Sequence, residues 1–283
     1  MLARPHFLAT ASAFALSASL GATPALAGDT AAASLPAVSA TNGSLSGFVG
    51  DLGEGFSAGG IASLTLPLEH LVGLQIDGDL GTARGNLFGG GSAHLFWRDP
   101  AQGLLGVYAS YQRWDWMAAE PASNPTFGLA DRHGAQIGKS GLEGELYLNK
   151  FTLRGLGTYQ FGIAHGASGR ASLSYYPTPD IRLDLASSYA RGSGHLEAAG
   201  GEWSPSPRLP LTLFAQAGVT GHGDARVLGG IRITFAKTAK PLIRRDREDA
   251  IDPILPDNLF ETIGDGYCPV GTVLINGFCD GNG

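Results

Sequence analysis

The sequence predicts an all-β chain, a transmembrane antiparallel up-and-down β-barrel of about twelve strands. Three observations carry that reading. Apolar and polar residues alternate in run after run, two kinds of connection alternate between the runs, and aromatic residues gather near run ends. The stretch VGLQIDGDLG, residues 72–81, shows the first: Val72, Leu74, Ile76 and Leu80 share one phase, and Gln75, Asp77 and Asp79 the other. A period of two belongs to a strand, whose successive side chains point to opposite faces. In a soluble sandwich the polar face would meet water. In a membrane barrel the apolar face meets lipid and the acids meet a polar lumen.

From the N-terminus, residues 1–27 read as a secretory signal peptide. Arg4 supplies positive charge, an apolar run extends from Phe7 to Leu20, and Ala25-Leu26-Ala27 fits the small-x-small cleavage pattern. That run is short and holds Ser and Thr, which disfavours a spanning anchor. Residues 28–44, rich in Ala, Ser, Thr and Gly without a period, read as a flexible lead-in. The barrel is expected over 45–235, with strands near 45–52, 56–67, 71–82, 88–97, 104–115, 134–148, 151–161, 169–176, 181–190, 195–203, 211–220 and 226–235. Glycine makes up 43 of 283 residues, well above the usual ~7 % and without a collagen period, as befits many short strands. No later segment approaches the ~20 continuous apolar residues of a membrane helix. The formal net charge of −6 offers nothing to nucleic acid.

The connections fall into two sets. PLEH (67–70), RDPAQG (98–103), NK (149–150), TPD (178–180) and SPSPRLP (204–210) are tight; the other set is more polar or glycine-rich and includes the longest, Met117 to His133. Short turns at one end and longer loops at the other is the pattern of outer-membrane barrels, short toward the periplasm. An even strand count returns both chain ends to that side.

Phase assigns the lumen. In 139–148, Leu142, Gly144, Leu146 and Leu148 oppose Lys139, Glu143, Glu145 and Tyr147. In 151–161, Phe151, Leu153, Tyr159 and Phe161 oppose Thr152, Arg154, Thr158 and Gln160. The same alternation puts Arg170, Arg182, Asp184, Arg226 and Arg232 on the polar face of their runs. An Arg or Lys at mid-bilayer costs about 2–4 kcal/mol, and a one-residue slip turns every such residue outward, so the register is strongly specified. A two-residue hairpin at Asn149-Lys150 sets Glu145 opposite Arg154, and a three-residue loop at 178–180 sets Ser174 opposite Asp184. The expected lumen-lining, candidate selectivity residues are therefore Asp77, Asp79, Lys139, Glu143, Glu145, Arg154, Arg170, Arg182, Asp184, Arg226 and Arg232. Their signs are interleaved along the chain, which suits a filled lumen as well as an open one; a selective pore gathers one sign at a constriction. Phe88, Trp97, Phe151, Phe161, Tyr175, Tyr189, Trp203 and Phe235 stand where strands leave the bilayer and read as interfacial girdles.

The chain resembles a Gram-negative outer-membrane β-barrel protein. Its final run, RVLGGIRITF, is similar to the assembly signal of such barrels: Gly230, Ile233 and Phe235 match the glycine, apolar and terminal aromatic positions, while Leu228 departs where a polar residue is expected. HLFWRDPAQGLLGVYASYQRW, GELYLNKFTLRGLGTYQFG and KPLIRRDRED resemble alphaproteobacterial porin-like barrels over roughly residues 56–249. The resemblance implies fold, an outer-membrane location, contact with outer-membrane lipid and the barrel assembly machinery, and no catalytic residues. Residues 236–283 after the last run are a departure from most barrels.

That tail reads as periplasmic. Residues 237–249, KTAKPLIRRDRED, are expected to be a solvated linker, with contact to an anionic periplasmic polymer or lipid head groups as the alternative. Residues 251–263 carry spaced apolar side chains interrupted by Pro253 and Pro256, as in an extended docking strap. Cys268 and Cys279 are expected to form one local disulfide around the Asn276-Gly277 turn, a knob suited to a protein contact. HGAS (165–168) reads as a loop, and without a third orienting group His165 and Ser168 make weak hydrolase candidates. No zinc-type spacing is present, and no metal or cofactor is expected. The expected function is a non-enzymatic, passive channel for small solutes; a structural or inverse-autotransporter-type secretion barrel and a barrel-embedded lipid hydrolase are the alternatives.

Overall fold

Each alternating run becomes a strand, because a period of two matches the pleat and each strand finds a neighbour on both sides. The computed structural model of the chain describes residues 35–51, 55–83, 86–114, 135–162, 165–190, 194–206, 208–221, 223, 225–236, 239–253, 273–275 and 278–280. The strands are β1 (Asn42–Asp51), β2 (Phe56–Glu69), β3 (Val72–Ala83), β4 (Asn86–Asp99), β5 (Gly103–Trp114), β6 (Ala135–Leu148), β7 (Phe151–Gly162), β8 (Gly166–Thr178), β9 (Ile181–Ala190), β10 (Gly194–Trp203), β11 (Leu211–Thr220) and β12 (Ala225–Phe235). They form a closed antiparallel barrel in chain order, sealed where β1 pairs with β12 from Gly43 opposite Phe235 to Asp51 opposite Val227. Closure leaves no unpaired sheet edge, which a lipid-facing sheet requires.

Both register expectations hold. Glu145 pairs with Arg154 and Ser174 with Asp184. At the Asn149-Lys150 hairpin Asn149 takes the left-handed conformation (φ 53°) that such a turn demands. The register shifts in only two of the pairings, at Pro67/Glu69 and at Tyr175/Thr178, both at the tight-turn end.

Burial decides between sandwich and membrane barrel. Leu80, Leu105, Leu142, Leu185 and Phe235 are each more than 60 % exposed on the outside, whereas Gln75, His94, Gln160 and Thr212 are fully buried. A protein that exposes its leucines in a continuous band and buries its polar groups is built for lipid. Trp97, Phe151, Phe161, Tyr175, Tyr189, Trp203 and Phe235 face outward, as expected of girdles. Phe88 does not: it occupies the inner phase of β4, is 2 % exposed and stacks on Phe48 with centroids 6.5 Å apart. Glu197 is an outward carboxylate, accepting a 2.7 Å hydrogen bond from Ser187, one outward position below the Tyr189–His195 ring pair.

The first part of the expected lead-in is outside the described residues, but 35–41 is docked. Ala37 and Val38 are fully buried, the Ala37 amide donates to the His70 carbonyl at 2.7 Å, and β1 starts at Asn42. The expected solvated linker is docked too. Residues 242–248 form helix α1 (Leu242–Glu248) at the tight-turn end, and Leu242, Arg245, Glu248 and Asp249 are buried there. The reason is charge matching: each buried charge of this run meets an opposite charge or a hydroxyl of the wall or the run itself. Two short strands, β13 (Val273–Ile275) and β14 (Phe278–Asp280), pair with Ile275 opposite Phe278, and the expected Asn276-Gly277 turn lies outside the described residues. The Cys268–Cys279 pairing and most of the 251–263 strap lie outside the described residues.

Candidate functional site

The site is the bore at the tight-turn end, where the wall and the tail meet. Every lumen residue anticipated from phase lies on the inner face: Asp77 and Asp79 on β3, Lys139, Glu143 and Glu145 on β6, Arg154 on β7, Arg170 on β8, Arg182 and Asp184 on β9, Arg226 and Arg232 on β12. Interleaved in sequence, they sort only in part by side: β3 and β6 carry Asp77, Asp79, Glu143 and Glu145 together with Lys139, and β7, β8, β9 and β12 carry the arginines together with Asp184.

On the acidic side His94 is fully buried between two carboxylates. Its Nδ1 lies 2.9 Å from Glu143 and its Nε2 3.1 Å from Asp77, with the Tyr108 ring 4.9 Å away. Ser92 and Gln75 donate to Asp77, and Gln112 donates to Asp79. His94 is the centre of a buried ionic cluster because its strand phase points it inward.

On the basic side the tail enters the wall's ion pairs. Arg182 meets Asp184 at 2.9 Å and Glu202 at 3.0 Å from the wall, and Asp246 at 2.9 Å and Asp252 at 2.6 Å from the tail. Arg232 meets Glu202 at 2.8 Å and the other oxygen of Asp252 at 2.9 Å. Arg154, paired with Glu145, also donates to the Asp252 main-chain carbonyl at 3.3 Å. Two guanidinium groups are thus bridged by two carboxylates, one from the wall and one from the tail. Burial works against the charge on Asp252, but Arg182, Arg232 and Arg154 outweigh it and hold that carboxyl well below the usual carboxylate range.

The tail reaches the opposite wall as well. The Ile251 amide donates to the Gln75 side chain at 2.7 Å, and the Gln75 amide returns a bond to the Ile251 carbonyl at 2.9 Å. The Ile251 side chain packs with Ala37, Val38, Phe96 and Leu104. Asp249 takes Lys240 at 2.8 Å and the Ser39 hydroxyl, and its carbonyl, like that of Ala37, accepts from the buried Arg98 at 3.2 Å. Contacts of 245–252 therefore fall on β3, β4, β5, β7, β9, β11 and β12, on all sides of the bore. Beside Asp252 a cavity of about 90 Å³ remains, lined by Arg170, Ser172, Ser174, Ala186, Ala198, Gly200 and Gln216 among others.

No protein-family model matches this chain, and no curated protein sequence does. Solved structures do. A KdgM porin in complex with disordered oligogalacturonate aligns at TM-score 0.50 and 9 % identity over 69 % of this chain and 99 % of that one. It has the fold of an outer-membrane β-barrel. An outer-membrane channel from Pseudomonas putida F1 aligns at TM-score 0.45 and 12 % identity, over 74 % of this chain and 100 % of that one. Outer membrane phospholipase A from Escherichia coli follows at TM-score 0.44 and 11 % identity, over 70 % and 92 %. At these identities the likeness is one of fold.

Within the barrel, the hydrolase alternative lacks its geometry. HGAS is not a loop throughout: Ser168 sits in β8, faces inward and is paired with the Thr158 hydroxyl at 2.6 Å, while His165 is exposed ahead of the strand. Three residues apart on an extended chain, the two side chains leave on opposite faces. Among the described residues no group of three or more His, Cys, Asp or Glu could hold a metal ion. Sequence reasoning missed Gln75, Arg98, Glu202 and Asp252. Glu202 was findable: a β9–β10 hairpin that pairs Glu202 with Arg182 puts opposite charges across the strands.

Proposed function

We propose that the chain is a porin-like channel of the bacterial outer membrane whose bore is closed by its own C-terminal segment, and that small solutes pass when this segment withdraws. One observation carries the reading: residues 245–252 touch the wall on all sides of the bore, chiefly through ion pairs and hydrogen bonds, beside a cavity of about 90 Å³. Polar contacts exchange with water and ions, whereas a permanent plug is better made of packed apolar side chains, since a buried ion pair adds little net stability. The tight turns and both barrel ends face the periplasm by the rule for such barrels, so the plug closes the inner mouth. Gly230, Ile233 and Phe235 serve the assembly machinery in this reading.

The test is single-channel conductance of the refolded mature protein and of a version ending at residue 236. Steady steps from the shortened barrel, rare or absent in the whole protein, are expected. A shortened barrel that folds, shows heat-modifiable migration and never conducts would sink the channel reading. A secretion barrel is the second reading, favoured by the entry of the chain after β12 into the bore; protease cleavage of the tail on intact cells would select it.

A further inference from the structure

The geometry points to a binding site for the carboxylate of a small hydroxylated acid at Arg154, Arg182 and Arg232, with Asp252 as its built-in occupant. This deepens the channel reading and rests on the tail being displaceable. The site already displays its ligand chemistry. One oxygen of Asp252 faces Arg182 Nη2 at 2.6 Å and the other faces Arg232 Nη2 at 2.9 Å. A planar two-oxygen acceptor held between two planar guanidinium groups is the geometry of a carboxylate, with one donor to each oxygen.

The wall holds those donors in place without the tail. Glu202 is buried behind both arginines, at 3.0 Å from Arg182 and 2.8 Å from Arg232. Asp184 fixes Arg182 Nε, the Ser46 hydroxyl accepts from Arg232 Nε at 3.1 Å, and the Phe214 ring lies under the Arg232 guanidinium at 5.7 Å. Withdrawing the tail removes Asp252 and Asp246 together and leaves the Nη2 atoms of both arginines aimed at a vacated carboxylate position.

A third contact narrows the class. Arg154 Nη1 donates to the main-chain carbonyl of Asp252 at 3.3 Å. That oxygen is carried on the third carbon out from the carboxyl carbon. A hydroxyl on the third carbon out from the carboxyl carbon of an aldonic or uronic acid presents an acceptor at the same chain distance. The cavity alongside, lined by Ser172, Ser174, Arg170 and Gln216, offers hydroxyl, amide and guanidinium groups to the rest of a polyol chain. That lining suits a polyol chain better than a purely hydrocarbon one.

The test is calorimetric titration of sodium D-gluconate, with D-glucose and sodium sulfate as controls, into the full mature barrel in detergent and into Asp252→Asn. Removing the charge of the internal competitor is expected to tighten gluconate binding at least tenfold, with glucose silent and sulfate weak. Adding Arg232→Lys, which keeps the charge and loses the planar fork, is expected to reverse most of that gain. No gluconate binding by a folded Asp252→Asn barrel, or sulfate binding equal to gluconate, would overturn the site. Conductance keeps the two readings apart. A shortened barrel that conducts but ignores gluconate overturns the site alone. An Asp252→Asn barrel that binds gluconate supports the site even if no version conducts.

Discussion

The wall of β1–β4 and the wall of β7–β12 follow one alternation rule yet solve the inside of the barrel in opposite ways. Towards both ends of β3 and β4 inner rings sit on inner glycines. Phe88 lies over Gly81 and Phe96 over Gly73, so closely that a Cβ on either glycine would fall within about 2.5 Å of a ring carbon. That half carries rings of its own, with Ile251 of the tail added beside Phe96 and Gln75. Along β8–β11 the inner positions are Ser172, Ser174, Ala186, Ala198 and Gly200, which leave a hollow, and the arginines around it are completed by the tail. The lesson is that lumen filling is not set by strand number. The rings of β1–β4 belong to the wall itself, whereas the arginines of β7–β12 take carboxylates from the tail.

Substitutions in the two halves test that contrast, and the largest effect belongs to Arg182. Its guanidinium serves Asp184, Glu202, Asp246 and Asp252, so Arg182→Met leaves the buried Glu202, and Asp252 with it, only Arg232 as an ion-pair partner, and leaves Asp184 and Asp246 the Ser174 and Tyr176 hydroxyls. Removing one partner of a buried pair costs about 3–5 kcal/mol. The expected outcome is a barrel that unfolds at clearly lower urea concentration and a tail that proteases reach. A tail that stays protected would mean that Ile251 and α1 hold it unaided. Phe88→Ala in the ringed half is expected to cost about 3 kcal/mol by the cavity it leaves, again by urea titration. Here the tail should remain protected, because Phe88 contributes no contact to it. Equal tail release by both variants would erase the distinction between the halves.

Acid offers a smaller and graded perturbation. Asp252 has its carboxyl held below the ordinary value of 3.8, so the docked state binds fewer protons there than the released one. Its contribution to docking is full above pH 3.8 and is lost as pH falls through the docked value. Glu248, lowered by Arg244 and Lys240 against the opposing effect of burial, acts in the same direction. Protease protection of the tail is expected to hold from neutral pH to about pH 4 and to decline below it. Release between pH 5 and 7 would transfer control to another group.

The architecture was legible because a period of two with charges in one phase leaves few registers open. Pairings such as Glu145–Arg154 follow from turn length alone, and the side of the wall each charge occupies follows from parity. Phe88 was misplaced because nearness to a strand end was read as facing lipid, when its phase was inward. The docked tail was illegible for a different reason. Residues 245–252 have no periodicity, and a run of alternating charges is normally solvated; Arg182 and Arg232 on distant strands give Asp246 and Asp252 their ion pairs, and Asp249 takes Lys240 and the Ser39 hydroxyl. Gln75 illustrates the same limit, since its amide mimics a backbone pair with Ile251, a segment 176 residues away.

The smallest effect is the most discriminating for register. Ser174 donates to Asp184 at 2.5 Å across the β8–β9 pair. Asp184 keeps Arg182 at 2.9 Å, so Ser174→Ala leaves the carboxylate partnered and should cost only about 0.2–1 kcal/mol, the range of a cross-strand pair. In a cycle with Asp184→Asn the coupling between the two positions should stay in that range. A coupling several times larger would mean that the tail feels this pair through Arg182. The hollow half of the barrel would then act as one ionic unit, and the wall and plug could not be treated as separable parts.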